Sequence, residues 1–400
     1  MRVFSVFFHP SPSVSAVGGA EKRFIETLKI LSIKGVKITV LEPRPGLLAR
    51  FGVCRETREL GGLFSVSRGG WFGIYVGWFL WVFWACVNCL RFLRGQRFDV
   101  VLAPNNTLPN LIPAYFVRFV FRLPLCVVVH HVDVLSPIAS PGFFGVYYTY
   151  RGVGFDIFAS FLKSVAFFVI LAFLRRSDVC IAVSNSTAEA LVRNGVPKER
   201  VYVNGNGVDV NYINGFEFEG DKLYDGVFVG RVSKEKGVID LVKAWRKIVD
   251  AKDEARLLII GSGPDVYGVK DMVRVLGLGK NVVVRGGCSD RDMYTLMKAS
   301  RVFVFPSVFE GWGLAVAEAL ACGLSVVCYD VSALREVFGE CESVFFVPLK
   351  DVERLACAVL GVLETSGSER LAEVSRSYVK RFDWSRVAMK DLETISLWSH

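Results

Sequence analysis

VFVFPSVFEGWGLAVAEALACGLSVVCYD, residues 302–330, reads as strand, loop, helix and strand in immediate succession. Val302–Val304 and Ser325–Cys328 are short apolar runs, and the Ala- and Leu-rich stretch Leu314–Ala321 between them reads as a helix. Neither run alternates polar with apolar residues. That pattern marks strands covered on both faces, as in a parallel sheet flanked by helices. Pro306 closes the first strand, and Gly311 and Gly313 give the turn before the helix its freedom.

The same rhythm runs outward in both directions. Further strands are expected at Gly226–Val229, Arg256–Ile260, Val282–Arg285 and Ser343–Val347. In the first half they are expected at Val3–Phe8, Lys37–Leu41, Leu63–Val66, Val100–Ala103, Leu125–His130, Val179–Val183 and Val201–Asn204. Helical stretches separate them, so the expectation is an α/β protein of doubly wound, Rossmann-like domains with right-handed crossovers. Four hundred residues exceed one ordinary core, and 52% apolar content is enough for two. The polar, aperiodic stretch NYINGFEFEGDKLY, Asn211–Tyr224, marks the break. Domains are expected at residues 1–205 and 206–382, with a helical stretch at 383–400 packing back on the first. Two such domains leave a cleft where the carboxyl ends of both sheets face each other, the place where doubly wound sheets bind ligands.

Charge is uneven along the chain. Residues 1–200 hold 23 Lys and Arg against 11 Asp and Glu, whereas residues 201–400 hold 25 against 28. The basic half also holds the apolar stretches, Trp71–Leu90 without a charge and Ile157–Leu174 with only Lys163. Trp71–Leu90 is long enough to cross a bilayer. A crossing there would put strands of one sheet on opposite sides, so the expected arrangement is a crossover helix whose outer face meets the membrane surface. Scattered cations without stacking aromatics argue against nucleic acid. The ten cysteines show no paired framework, and Cys86–Cys89 has no second pair or nearby His, which argues against zinc and for a reducing compartment. The apolar run Val3–Phe8 is too short for a signal peptide.

Four places carry candidate chemistry. Glu310 stands in the loop before the helix at Leu314, and Glu318 stands inside that helix. The backbone N–H groups near Gly313, Leu314 and Ala315 would point out of the helix start, where the dipole favours a phosphate. The plain alternative makes Glu310 a helix cap and Glu318 a solvated charge. Arg231 and Lys236 follow the strand at Gly226–Val229 and precede a helix; two fixed cations there suit a departing diphosphate. Gly18 and Gly19 open the first helix, where the absence of side chains lets a ligand approach the backbone. They lack the spacing of a dinucleotide fingerprint. His130 and His131 end the strand beginning at Leu125. Asp290-Arg291-Asp292 looks like an Asp-x-Asp metal motif, yet it precedes a helical run where capping and N-terminal charge explain it better.

Taken in order, these residues resemble glycosyltransferase family 4, of the two-domain GT-B fold. The resemblance covers nearly the whole chain. It is carried by Gly18-Gly19-Ala20-Glu21, Pro124 to His130, Ala182-Val183-Ser184-Asn185-Ser186 and Asn206-Gly207-Val208-Asp209. It continues through Gly230-Arg231 with Lys236-Gly237, Gly261-Ser262-Gly263-Pro264 and Glu310 to Glu318. What the resemblance implies is a retaining, metal-independent hexosyltransferase that uses a nucleoside-diphosphate sugar as substrate and needs no cofactor, UDP- and GDP-linked donors being the first expected. It gives Glu310 the donor sugar's hydroxyls, Glu318 the ribose hydroxyls, and Arg231 and Lys236 the diphosphate, aided by amides at Gly19 and near Leu314. His130 would approach the sugar, and Gly286 and Gly287 would lie near the base. A covalent intermediate on Glu310 is the alternative mechanism. The expected acceptor is a glycan or lipid-linked hydroxyl, and the expected location is cytoplasmic, peripheral on the inner face of the membrane. The competing functions are a nucleotide-sugar epimerase or hydrolase, and a non-catalytic membrane-associated subunit of glycan assembly.

Overall fold

The computed structural model describes residues 1–8, 18–42, 48, 70–132, 142–365 and 369–398. The strand expected at Leu63–Val66 lies outside these. The described residues form two compact units. One comprises residues 1–147, 158–206 and 384–400; the other comprises 148–157 and 207–383.

The first unit runs β1 (Arg2–Val6), α1 (Gly19–Ile33), β2 (Lys37–Leu41), α2 (Gly70–Leu93), β3 (Val100–Ala103) and α3 (Leu108–Phe121). It continues through β4 (Leu125–Val129), α4 (Phe143–Val153, within this unit as far as Tyr147), α5 (Ile157–Leu174, from Phe158), β5 (Val179–Ala182), α6 (Asn185–Arg193) and β6 (Val201–Val203). Among the described residues its strands make one parallel sheet in the order β2-β1-β3-β4-β5-β6. Every residue of β3, β4 and β5 is buried. Burying each such Val or Leu contributes roughly 1.5–3 kcal/mol, so the central strands stay apolar throughout their length.

The second unit contains α7 (Val210–Asn214), β7 (Tyr224–Val229), α8 (Val238–Ala251), β8 (Leu257–Ile260), α9 (Val266–Val275), β9 (Val282–Arg285) and α10 (Asp290–Lys298). Then follow β10 (Ser300–Phe305), α11 (Leu314–Ala321), β11 (Ser325–Tyr329), α12 (Ser332–Phe338), β12 (Val344–Val347), α13 (Val352–Thr365) and α14 (Glu369–Val379). Its parallel sheet has the order β12-β11-β10-β7-β8-β9. Strands β7, β8 and β9 step one way, and β10, β11 and β12 step the other. The chain therefore reverses direction across the sheet between β7 and β10, so the loops leaving these two strands lie side by side. In a doubly wound sheet that reversal is where ligands bind.

The last helix, α15 (Trp384–Ser396), belongs to the first unit and packs on α1. A buried polar cluster fastens it. Arg23, 1% exposed, donates from Nη2 to Asp391 Oδ1 at 2.8 Å and from Nε to the Gly205 carbonyl at 3.1 Å. Asn204 Nδ2 donates to the same Asp391 oxygen at 2.8 Å. Residues 148–157 were expected within the first domain, 1–205. They group with the second unit because its lysines hold their carbonyls: Lys234 Nζ donates to Gly154 at 2.6 Å, and Lys350 donates to Gly152. Tyr150 also meets Phe309 edge-on at 6.4 Å.

Candidate functional site

In the second unit the loops after β7 and β10 bring two of the expected residues into contact. After β7 the chain passes Gly230 and Arg231 into a short 3-10 turn, Lys234–Lys236, and then into α8. Gly237 makes the junction in the left-handed region (φ 66°), and a Cβ there would fall on the Pro306 carbonyl. Only glycine lets this loop lie against the one after β10. Val308 N–H donates to the Glu235 carbonyl at 2.9 Å and joins the two loops directly. Across this seam Lys236 Nζ donates to Glu310 Oε1 at 2.5 Å. The side chains are 20% and 11% exposed. The ammonium also lies 5.7 Å from the centre of the Phe305 ring.

Glu310 is thus an ion-pair partner and not a helix cap. The residue before α11 is Gly313, at φ 96°, and no side chain caps the helix. The first N–H groups, of Leu314 and Ala315, precede the first intrahelical bonds, which run from Val316 and Ala317 to the Gly313 carbonyl at 3.0 and 3.1 Å. A helix start of this kind favours an anion.

Glu318 is no solvated charge either. It is 7% exposed, and its Oε1 accepts from the Tyr294 hydroxyl at 2.9 Å. Tyr294 is fully buried, and burial together with the adjacent carboxylate pushes its phenol far above the ordinary range, so it remains a donor. Its ring stacks on Phe216 at 5.7 Å. Tyr294 thereby joins the candidate site through Glu318, and sequence reasoning missed it. Its position in DRDMYTLMKAS carries no signal, because the pairing joins α10 to α11 only in the fold.

Arg231 stays on the surface with its side chain 61% exposed, paired with Glu235 at 3.2 Å. Gly286 and Gly287 follow β9 and are exposed at the same carboxyl edge of the sheet. Asp290-Arg291-Asp292 forms the first turn of α10. Ser289 Oγ accepts from Asp292 N–H at 3.1 Å, and the Asp292 carboxylate lies 3.9 Å from Arg285. The stretch is a capped helix start.

In the first unit Gly18 and Gly19 open α1, Gly18 as the N-cap with extended backbone. His130 follows β4 at the carboxyl edge. Its Nε2 lies 3.2 Å from the Pro104 carbonyl, and its backbone N–H reaches Asn106 Oδ1 at 3.3 Å. Burial, then the charge of Arg23, lowers its pKa from the ordinary 6.5 to about 3. The Pro104 carbonyl and His131 have smaller effects. At neutral pH the ring is therefore uncharged. A carbonyl can only accept, so the proton sits on Nε2 and the Nδ1 lone pair is the acceptor. Elsewhere in this unit Cys86 on α2 is pushed up to about 11 by burial, an inert thiol.

Sequence models of two families match this chain. The description "Glycosyltransferase Family 4" covers residues 17–212, and "Glycosyl transferases group 1" covers residues 216–379. The phosphatidyl-myo-inositol mannosyltransferase of Mycolicibacterium smegmatis is 30% identical over 206 residues, 48% of this chain and 51% of that protein. The N-acetylgalactosamine-N,N'-diacetylbacillosaminyl-diphospho-undecaprenol 4-alpha-N-acetylgalactosaminyltransferase of Campylobacter jejuni is 27% identical over 231 residues, 56% of this chain and 62% of that protein. The chain spans about half the length of the curated relatives it matches. Among solved structures, Anabaena HepE in complex with UDP and glucose superposes with a TM-score of 0.71 at 19% identity, over 99% of both chains.

Proposed function

The chain belongs to glycosyltransferase family 4 and has the GT-B fold, and from that premise we propose that it transfers a hexose from a nucleoside-diphosphate sugar to an acceptor hydroxyl. The transfer retains anomeric configuration and needs no metal. The acceptor is a lipid-linked or glycan hydroxyl, and the protein works from the cytoplasmic face of the membrane. The observation that carries this reading is the Lys236–Glu310 pair, 2.5 Å apart, at the β7–β10 reversal. A sugar diphosphate presents phosphate oxygens and hydroxyl donors within a few ångströms of one another, and this pair offers the complement of each.

Breaking the bond between sugar and diphosphate leaves negative charge on the phosphate and positive charge on the sugar. Lys236, Arg231 and the α11 start supply fixed positive charge on the departing side, which lowers that barrier without a Lewis acid. Glu318, held by Tyr294, suits the paired hydroxyls of a ribose. His130, on the first unit, keeps its Nδ1 lone pair for a hydroxyl donor. The ammonium on Glu310 draws charge from that carboxylate, which supports hydroxyl binding over a covalent glycosyl ester. Retention then follows from acceptor attack on the face the diphosphate leaves, a phosphate oxygen taking the acceptor's proton.

The acceptor class rests on the relatives, one named for phosphatidyl-myo-inositol and one for a diphospho-undecaprenol. Incubation with radiolabelled UDP- and GDP-sugars, a bacterial lipid extract and EDTA tests the proposal. The expected product is a labelled glycolipid whose anomeric configuration by NMR matches the donor. Free sugar alone, an epimerised donor, an inverted linkage or loss of activity in EDTA would each contradict it.

A further inference from the structure

Among the described residues, most of the first unit's exposed large apolar side chains lie on one layer of helices; Ile33 on α1 and Leu397 after α15 lie elsewhere. From β2 to β5 successive strands advance in a single direction across the sheet, so right-handed crossovers place α2, α3 and α5 on the same side, and α1 on the other. The contacts agree: α2 packs on α3, and Tyr115 of α3 meets Phe173 of α5 at 5.0 Å. On the outer surface of this layer Phe79 and Phe83 of α2 are 72% and 65% exposed, and Phe119 of α3 is 78% exposed. On α5, Phe158, Phe161 and Val165 are exposed as well.

Helix α5 is the one described helix both long and apolar enough to cross a bilayer, with a mean hydropathy of 2.4. It has two faces, however. Ser160, Ser164, Phe167, Leu171 and Leu174 form a buried stripe at helical spacing, with the exposed apolar stripe opposite. A helix committed to the sheet along one side is placed to lie on a membrane and not to span it.

Charge selects the occupant. None of the three helices contains an acidic residue. All three run antiparallel to the parallel strands, so their C-terminal ends share one edge of the layer. At that edge Arg91, Arg94, Arg122, Arg175 and Arg176 are exposed. A second copy of this face would offer arginines no acid to meet.

We propose that the α2–α3–α5 layer is a docking face for an anionic lipid bilayer, its phenylalanines entering the interface and its arginine edge engaging lipid phosphates. This rests on the transferase reading only for its purpose, bringing the protein to a lipid-linked acceptor; the binding itself needs no sugar. Each basic residue near an anionic surface adds roughly fivefold to binding, and salt screens the effect.

Co-sedimentation with phosphatidylcholine vesicles, with and without phosphatidylglycerol, tests it. The protein is expected to bind the anionic vesicles and to be released by alkaline carbonate. Phe83→Asp with Phe161→Asp is expected to weaken binding roughly tenfold or more. Arg94→Glu with Arg122→Glu is expected to weaken binding to anionic vesicles by a similar factor and to leave binding to neutral ones unchanged. These arginines are exposed, so the second variant decides the matter even where the aspartates unfold the unit. A rise in Tm with nucleotide-sugar reads the second unit's site alone and is expected in both variants. Its loss in the wild type would count against the transferase reading and leave docking standing. No binding by the wild type, equal binding by both variants, resistance to carbonate, or a dimer abolished by the aspartates would overturn the proposal.

Discussion

At Lys236 and Glu310 a cation and an acceptor meet in a mostly buried seam, so replacing either one alters both. Lys236→Ala removes charge from the leaving side, and Glu310→Gln keeps the shape while removing the carboxylate. Each is expected to cut turnover about 10²–10³-fold with circular dichroism unchanged. Steady-state kinetics with the true donor checks this, and near-normal turnover would refute the roles. Tyr294→Phe is expected to act through Glu318. Losing the 2.9 Å hydrogen bond should raise the donor KM several-fold and leave kcat nearly unchanged. At His130 the folded pKa lies near 3, below the ordinary 6.5. Between these values the unfolded chain binds the extra proton, so this histidine's contribution is full above pH 6.5 and is lost as pH falls towards 3. Urea melts between pH 7 and 5 should show stability falling by about 1 kcal/mol per unit below 6.5, and His130→Asn should flatten that slope. An unchanged slope would mean that the ring is free to protonate in the fold.

Among the elements, the junctions carry the most risk. Gly237 combines a positive φ with a backbone carbonyl where a side chain would go. Gly237→Ala should therefore cost about 2–4 kcal/mol in chemical denaturation and misplace Lys236. The α15 attachment is a second such point. Asp391→Ala would leave Arg23 charged and buried, at a cost of about 3–5 kcal/mol to the first unit. A loss under 1 kcal/mol would show that water reaches the guanidinium. The elements themselves were readable in advance for a physical reason. Strands buried on both faces must be apolar without a break, so β3 coincides with the run Val100–Ala103, and β4, β5 and β8, buried throughout, lie within one residue of the runs Leu125–His130, Val179–Val183 and Arg256–Ile260. Pairings between elements leave no such trace. Tyr294 with Glu318 and the carbonyls of residues 152 and 154 under lysines depend on which helices meet, and no local spacing encodes that.

For the molecule as a whole, both sheets and the order of the candidate residues were legible, because a family 4 chain repeats one strand–helix unit and places its polar residues at strand ends. Base, sugar and acceptor were not. The glycines after β9 would meet a base through backbone, which is common to every sequence. The central claim is that the β7–β10 reversal of the second unit holds a nucleoside-diphosphate sugar through Lys236 and Glu310. Thermal unfolding in EDTA against UDP-, GDP- and ADP-sugars tests it most directly, since a bound donor raises Tm by mass action. The account predicts that one nucleotide class raises the Tm of the wild type and leaves that of Lys236→Ala where it was. Equal shifts in the two proteins, or no shift with any donor, would contradict it.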